Sequence, residues 1–411
     1  MGSTAAGAGA MRPFRRWGMG DYAVYGYEGM NRWIVRPMLE VAKDRILATC
    51  EEHNLEFVTD ATNFQPSITL RNAIRHELRP DKVGETAEVE HVPEVVDRLN
   101  YLKQAVTSMK DVSFSLSSSP EALRNAVSDL SSKSQDINDQ VDSVLKQCSL
   151  PTISGTFLIS QRALDQISDV DVRRALVLRI LRYTSFYPWG SVVADAGRRK
   201  RNLDHVIREL WGPLHKDTIL RSFGAGGGVL WTPVILRQNF IKTPQTFIFG
   251  ALQDGENLAW LASRLPPMHR DKLIDRGIPN TLEIDITKTI VEGWERWKSG
   301  GPSVVPILYD CRYLLRFDLE RMPAAIATRL LEHSSEKTLR VYSRSRWLWP
   351  SVVLEANNSR EVIHDKITEE TTNIFLDVDV RAGTRYYLRA PPLSIDSGWI
   401  TAEWVRPLTA M

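Results

Sequence analysis

The stretch from Arg36 to Arg75 constrains this chain more than any other, because it compresses a helix, an extended piece, a polar turn and a second helix into one short run. From Leu39 to Asn54, Ala42, Ile46 and Cys50 recur at four-residue spacing with Leu47 beside them. That is the apolar stripe of a short amphipathic helix, with Asn54 as its stop. Leu55-Glu56-Phe57-Val58 reads as a short extended piece. Asp60-Ala61-Thr62-Asn63 has the composition of a turn held by its own side chains. A second helix is expected from Ser67, a good N-cap, to just before Pro80. On it Arg71 and Arg75 stand one turn apart, where two guanidinium groups converge on a phosphate or a carboxylate, and Asn72 and His76 form the neighbouring pair. A buried ion pair of Asp60 with Arg71 or Arg75 is the alternative use of the same residues.

Downstream the periodicity changes. Val92, Val95, Leu99, Leu102, Val106 and Met109 alternate three and four apart, as do Leu123, Val127, Leu130, Ile137, Val141 and Val144 with Ser134 as a polar interruption. Two helices folded as a hairpin about Ser117-Ser118-Ser119-Pro120 follow, and a long coiled-coil arm is the competing arrangement. Further helices are expected from Gln161 to Tyr183 and from Leu203 to Trp211. After about residue 216 the pattern turns towards strands, although Glu256 to Ser263 and Leu282 to Lys298 still read as helical. Val304 to Phe317 and Leu339 to Leu354 are strand-rich. Ile374, Leu376, Val378 and Val380 alternate with Phe375, Asp377, Asp379 and Arg381, and Ala382-Gly383 turns into Arg385-Tyr386-Tyr387-Leu388-Arg389, the pattern of a β-hairpin. The fold class is α+β.

With 411 residues the chain has room for two or three domains, and 43% hydrophobic with 25% charged residues is ordinary for a globular protein. A formal charge of +2 is too small for whole-chain attraction to nucleic acid, so any RNA contact must come from local basic clusters. Cys50, Cys148 and Cys311 lie far apart with no zinc-ligand spacing, as expected of buried thiols in a reducing compartment. No metal site is expected from these residues. No apolar run is long enough to cross a bilayer and no secretory signal pattern is present. An intracellular location without membrane contact is expected. Residues 1 to 20 carry Arg12, Arg15 and Arg16 and no acid, which fits a disordered leader or an organellar transit peptide, mitochondrial if the source is eukaryotic; otherwise the location is cytoplasmic.

The densest basic run is Arg198-Arg199-Lys200-Arg201, with Arg173, Arg174, Arg179 and Arg182 near it in sequence. A cluster of this kind neutralises several phosphates of a nucleic acid; a solvated loop beside a helix is the other reading. By period-two alternation Arg340, Tyr342, Arg344 and Arg346 share one strand face, which suits either RNA or plain solvent exposure.

Gly26-Tyr27-Glu28-Gly29-Met30, Arg36-Pro37-Met38-Leu39, Asp60-Ala61-Thr62-Asn63 and Arg71-Asn72-Ala73-Ile74-Arg75 together resemble the tRNA(Ile)-lysidine synthase family of the PP-loop ATP-pyrophosphatase class. The resemblance is close over residues 26 to 80 and departs from the family pattern at Met38 and Ala61. Tyr309-Asp310-Cys311-Arg312-Tyr313 is faintly similar to an aromatic-Asp-x-Arg-aromatic element of the same family. The resemblance implies an ATP-dependent ligase that activates the wobble cytidine of tRNA(Ile) as an adenylate and joins it to free lysine. Under it Asp60, Asn63, Arg71, Asn72 and Arg75 line the wall of a phosphate-handling site, and ATP and Mg²⁺ are the implied cofactors. Arg173, Arg174, Arg198, Arg199, Lys200, Arg201, Arg344 and Arg346 are the residues expected to meet tRNA.

It also implies a domain division: a leader at 1–20, the end of a PP-loop catalytic domain at 21–85, a helical tRNA-binding domain at 86–215 and a mixed α+β domain at 216–411. The class carries a strand, a Ser-Gly-Gly-x-Asp-Ser loop whose amides cradle pyrophosphate, and a helix. No such loop stands ahead of Arg36, and the residues there are too few for βαβ units of about thirty residues each. The expectation is that the chain alone is incomplete as an enzyme, with the ATP-binding half on a second chain or the protein a non-catalytic tRNA-binding paralogue. Ser299-Gly300-Gly301-Pro302-Ser303 and Gly224-Ala225-Gly226-Gly227-Gly228 imitate the loop but lack its Asp or its strand-to-helix setting, and are expected to be turns.

Overall fold

The structure, a computed structural model, describes residues 12–18, 26–65, 68–69, 71–72, 120–150, 152–188, 194, 197, 199–237, 240–244, 246–267, 275, 280, 282–332, 337–343, 349–356, 359–364, 384–387, 394–396 and 398–408. The expected helix from Val92 to Met109, the second helix beyond Asn72, and the strand from Ile374 to Val380 lie outside these residues. The chain divides into two compact units, one built mainly from residues 35–135 and the other mainly from residues 136–411.

In the N-terminal part β1 (Phe14–Arg16) and β2 (Trp33–Val35) pair as a two-stranded ribbon. Helix α1 (Lys43–Glu52) follows, as the four-residue spacing predicts, and buries no residue. A tight 3-10 turn (Ala61–Phe64) then leads to the start of a helix at Arg71. Helix α2 (Pro120–Cys148) begins on Pro120, the position where a missing N–H and a fixed φ cost a helix nothing. Its stripe of Ser134, Ile137, Asn138, Val141 and Leu145 is buried, and the Ser134 hydroxyl accepts a bond from Arg12 at 3.4 Å.

The larger unit opens with β3 (Ser149–Leu150) and β4 (Phe157–Ser160), then α3 (Gln161–Asp165), α4 (Val170–Thr184) and α5 (Lys200–Trp211). Gln161 to Tyr183 is therefore interrupted, because Asp169 caps α4 with its carboxylate accepting from the Asp171 and Val172 amides. Next come β5 (Ile219–Arg221), β6 (Phe223–Gly224), β7 (Val229–Arg237), β8 (Phe240–Thr243), β9 (Thr246–Ile248) and β10 (Glu256–Arg264). Strand β10 lies between β7 and β4, antiparallel to both.

Glu256 to Ser263 is thus a strand and not the expected helix. Leu258 through Ala262 are all buried, so both faces of β10 are covered and the alternation that marks a strand disappears. Two alanines and two leucines then look helical by propensity, which tertiary pairing overrides.

The rest of the chain contributes β11 (Glu283–Asp285), α6 (Thr287–Lys298), β12 (Val304–Tyr309), β13 (Tyr313–Asp318), α7 (Ala324–Glu332), β14 (Lys337–Ser343), β15 (Pro350–Ala356), β16 (Ser359–His364), β17 (Thr384–Tyr387), β18 (Ser394–Asp396) and β19 (Ile400–Trp404). Leu282 to Lys298 is accordingly a short strand followed by a helix. Two four-stranded sheets, ordered β11-β14-β15-β16 and β12-β13-β19-β18, share one apolar core. Leu315, Phe317 and Ile400 of one sheet and Leu339, Val341 and Leu354 of the other belong to it, with Ile290 of α6. Gly293 lets α6 close on β12, since a Cβ there would stand 2.4 Å from a Val305 methyl. Strand β17 pairs with β8 at the edge of the sheet that contains β7, β10 and β4.

Candidate functional site

The polar turn is built from its own side chains. The Asp60 carboxylate accepts the Thr62 amide at 2.9 Å and the Thr62 hydroxyl at 2.7 Å, and the Asn63 amide donates to the Asp60 carbonyl at 3.1 Å. Asp60 is exposed, so the alternative of a buried ion pair with Arg71 does not occur. Asn72 is buried, 7% exposed, and its Nδ2 donates to the carbonyls of Thr62 at 2.8 Å and Gln65 at 3.1 Å. Thr69 Oγ1 accepts its amide at 3.2 Å. Asn72 is therefore the clasp that fastens the turn to the following helix, and its amide has no capacity left for phosphate. Arg71, the residue before it, is exposed and its guanidinium meets no partner among the described residues. Arg75 lies outside the described residues.

Two predictions follow from this geometry. Asn72→Ala removes the two Nδ2 bonds to the Thr62 and Gln65 carbonyls, which keep the Gln65 and Ile68 amides as donors, at a cost of about 1–2 kcal/mol, and urea unfolding of the N-terminal unit reads it. Asp60 is held below its ordinary value of 3.8 first by the Thr62 hydroxyl and then by the Thr62 amide. A carboxylate with a lowered folded pKa stabilises above its unfolded pKa, and that contribution disappears as pH falls through the folded value. Amide exchange at Thr62 is therefore expected to accelerate, relative to the Asp60→Asn variant, only below about pH 4.

The basic residues divide into two groups. Arg173 donates Nε to the Ile167 carbonyl at 2.7 Å and lies over the Trp211 ring at 5.3 Å. Arg174 is paired with Asp171 at 3.4 Å and Asp204 at 3.2 Å. Arg179 is buried among the Asn138 carbonyl, the Asn138 side chain and Asp142. These three serve the packing of α4. Arg199, Lys200 and Arg201 are exposed at the start of α5 and meet no acid among the described residues. No acid stands in that first turn. Cations beside the positive end of a helix dipole cost it about 0.3–1 kcal/mol each at most, so their placement favours an external anion rather than the helix. Arg198, Arg344 and Arg346 lie outside the described residues. Arg340 is drawn to Glu283 at 3.0 Å, with Asp285 and Glu355 each at 3.7 Å, while the Tyr342 hydroxyl donates to Glu355 at 2.7 Å. Among the described residues that strand face sets three acids around one base.

Neither glycine-rich stretch is a phosphate cradle. The amides of Ser299, Gly300 and Gly301 donate to Glu295, Trp297 and Arg296 carbonyls, closing the C-terminus of α6. Gly226, Gly227 and Gly228 all have left-handed φ, at +77°, +63° and +69°. A Cβ on Gly226 would meet the Gly197 carbonyl at 2.5 Å, and Asn202 Nδ2 donates to that same carbonyl at 3.1 Å. The glycines form a brace under the start of α5 and lead into β7.

Tyr309-Asp310-Cys311-Arg312-Tyr313 has a function that its sequence does not disclose. It is the β12–β13 turn, with Asp310 and Cys311 both at φ +51°. The fully buried Asp310 carboxylate accepts Arg264 Nε at 2.7 Å, Arg264 Nη2 at 2.8 Å and Arg312 Nε at 2.6 Å. Arg264 also stacks over Phe186 at 4.0 Å. Beside them Arg406 donates to the carbonyls of Arg182, Tyr187 and Cys311 at 2.8–3.0 Å. Burial and the Asp310 charge push the Tyr309 hydroxyl up from its ordinary value, and it donates to the Leu282 carbonyl. One buried carboxylate shared by two guanidiniums, with Arg406 bonded to backbone carbonyls beside it, bolts these segments together. Arg264 and Arg406 carry no local signal in the sequence, since the groups they meet lie far along the chain.

The three cysteines are free and half-buried. Among the described residues no group of three or more His, Cys, Asp or Glu side chains is placed to hold a metal ion, and no helix is long and apolar enough to cross a membrane.

The polar turn lies within a stretch that matches a known family. Residues 11–82 match the PP-loop domain family. The chain is 32% identical over 88 residues to the tRNA(Ile)-lysidine synthase of Bacillus licheniformis, covering 21% of this chain and 16% of that protein. It is 30% identical over 104 residues to that of Lactobacillus johnsonii, covering 25% and 22%, and 28% identical over 137 residues to that of Bacillus subtilis, covering 33% and 25%. The chain thus spans a quarter or less of the length of these curated relatives. No solved structure matches it. Residues 11–82 are thus similar to the PP-loop domain family, and the curated proteins that the chain resembles are tRNA(Ile)-lysidine synthases.

Proposed function

We propose that the chain acts in the ATP-dependent modification of tRNA, contributing to the ligation of free lysine to the wobble cytidine of tRNA(Ile) to form lysidine. The observation that carries this reading is the Asp60–Asn63 turn clasped by Asn72, with the exposed Arg71 beside it, within the PP-loop match. Arg71 there offers a fixed positive charge to a phosphate or to a developing oxyanion. ATP supplies the activation of the cytidine carbonyl in such a reaction. The described residues form a wall for it and do not enclose it, because both glycine-rich stretches are committed to other tasks. For the same reason Mg²⁺ is given no ligands here.

The exposed Arg199-Lys200-Arg201 run supports a second reading, a non-catalytic tRNA-binding protein or one half of a split enzyme, because it attracts RNA without ATP. Lysine- and tRNA(Ile)-dependent release of pyrophosphate separates the two. On the first reading Arg71→Ala slows the release about tenfold, the loss of one charge-assisted contact. Binding of tRNA without any lysine-dependent release favours the second.

A further inference from the structure

Residues 15–34 belong to the larger unit, and they set tryptophan rings in solvent where the rest of that unit covers them. Among the described tryptophans only Trp17 and Trp33 are exposed, at 39% and 53%, while Trp231, Trp260, Trp349 and Trp399 are buried. Tryptophan is highly buried on average, so an exposed pair calls for a partner from outside. Trp33 is also held in place. The Arg16 guanidinium lies over its ring at 4.7 Å, and Arg16 Nη1 donates to the Met30 carbonyl at 2.7 Å. Backbone bonds from the Trp17 amide to the Arg32 carbonyl at 2.9 Å and from the Gly18 amide to the Gly29 carbonyl at 3.1 Å close the β1–β2 ribbon beside it. With Arg16 on one face and Trp33 still half exposed, the other face of the ring is open to solvent. A ring fixed in this way loses little freedom when a flat group stacks on it.

The residues around the ring limit what that group can be. From Arg12 to Arg36 the chain carries five arginines, no lysine, six aromatic residues and two acids, Asp21 and Glu28. Glu28 pairs with Arg32 at 3.1 Å, and Arg15 stands exposed on β1. Rings interleaved with guanidiniums and a positive surplus suit unpaired nucleotides, whose bases stack on the rings while their phosphates meet the arginines. A second copy of the same face would be repelled by its own charge. An anionic bilayer takes up mainly aliphatic side chains from a protein surface, and this run offers mainly rings.

We propose that Trp33, backed by Arg16, is a stacking platform for an unpaired base of single-stranded RNA, with Arg15 on a phosphate of the same strand. It is separate from the Arg199-Lys200-Arg201 run, whose expected contacts are phosphates. The inference rests on the functional reading above for RNA as the nucleic acid, and adds the form of RNA that this face takes and the ring that receives it.

The test uses the full 411-residue chain and, as probe, a fluorescein-labelled oligouridylate, which has no base pairs and little stacking of its own. Trp33→Ala is expected to weaken binding about fivefold or more, the loss of one stacked base, and to leave the salt dependence unchanged because no phosphate contact is removed. Trp33→Phe keeps a stacking ring and is expected to restore most of the affinity. Arg15→Gln is expected to lower the slope of log affinity against log salt by about 0.7, the share of one phosphate contact on a single strand. Three results overturn the proposal: a parent chain that leaves the probe unbound, a Trp33→Ala chain that binds it as tightly as the parent, or a face that takes up phosphatidylserine vesicles or a second copy through Trp33 in place of the probe. Probe binding through Trp33 without lysine- and tRNA-dependent release of pyrophosphate keeps the platform and removes the ligation reading. Release at the parent rate by Trp33→Ala, together with unchanged probe binding, keeps the ligation reading and removes the platform.

Discussion

Asp310→Asn destabilises the larger unit by about 3–5 kcal/mol, the cost of removing one partner from a buried, hydrogen-bonded charge cluster. Asparagine has nearly the same shape, so the loss comes from charge and hydrogen bonding rather than from a cavity. Arg264 and Arg312, 4% and 1% exposed in their side chains, would be left facing each other with no anion between them. Tryptophan fluorescence during urea unfolding reads the change, because Trp404 packs against Tyr313 in the same region. Asp204→Asn is the control. It breaks the partly exposed pair with Arg174 and costs about 1 kcal/mol or less, since solvent already screens that contact. Equal effects of the two substitutions would show that water reaches the Asp310 centre.

Replacing Arg199, Lys200 and Arg201 together with glutamine weakens tRNA binding and also changes how binding responds to salt. Three phosphate contacts contribute about 2.1–2.7 to the slope of log affinity against log salt, so between 50 and 200 mM salt the parent chain loses roughly 20–40-fold more affinity than the variant. The same substitution stabilises the protein by up to about 1 kcal/mol or somewhat more, because it removes three cations from the positive end of α5. Rising stability with falling affinity is the signature of residues kept for a partner. Arg173→Gln with Arg174→Gln has the opposite pattern: an unchanged salt slope and a less stable fold, since Trp211, Ile167, Asp171 and Asp204 lose their contacts. A salt slope insensitive to Arg199, Lys200 and Arg201 would remove α5 from the RNA interface.

These contrasts show why the sequence was informative in some places and not in others. Asp60, Thr62, Asn63 and α1 were legible because each is decided by neighbours a few residues away. The role of Asn72 was half legible: its place beside the turn was visible, but the carbonyls it binds are those of Thr62 and Gln65, and only the folded backbone brings them to its amide. Arg173 and Arg174 could not be told from Arg199 and Arg201, because Asp204, which neutralises Arg174, belongs to another helix. Strand β10 hid its identity through burial on both faces. Asp310 stood out only through the faint family likeness of Tyr309 to Tyr313, and nothing near it announced that Arg264 would arrive from the end of β10.

The order of strands in the β12-β13-β19-β18 sheet also bears on how the protein is made. Strand β19 occupies an interior position, with Ile400 opposite Phe317 and Trp404 opposite Tyr313. The core beneath it, and the Arg406 contacts beside it, cannot close until the ribosome has released that stretch, long after β12 and β13 have emerged. This core therefore closes only after β19 has been translated, and until then the apolar face of β13 stands uncovered.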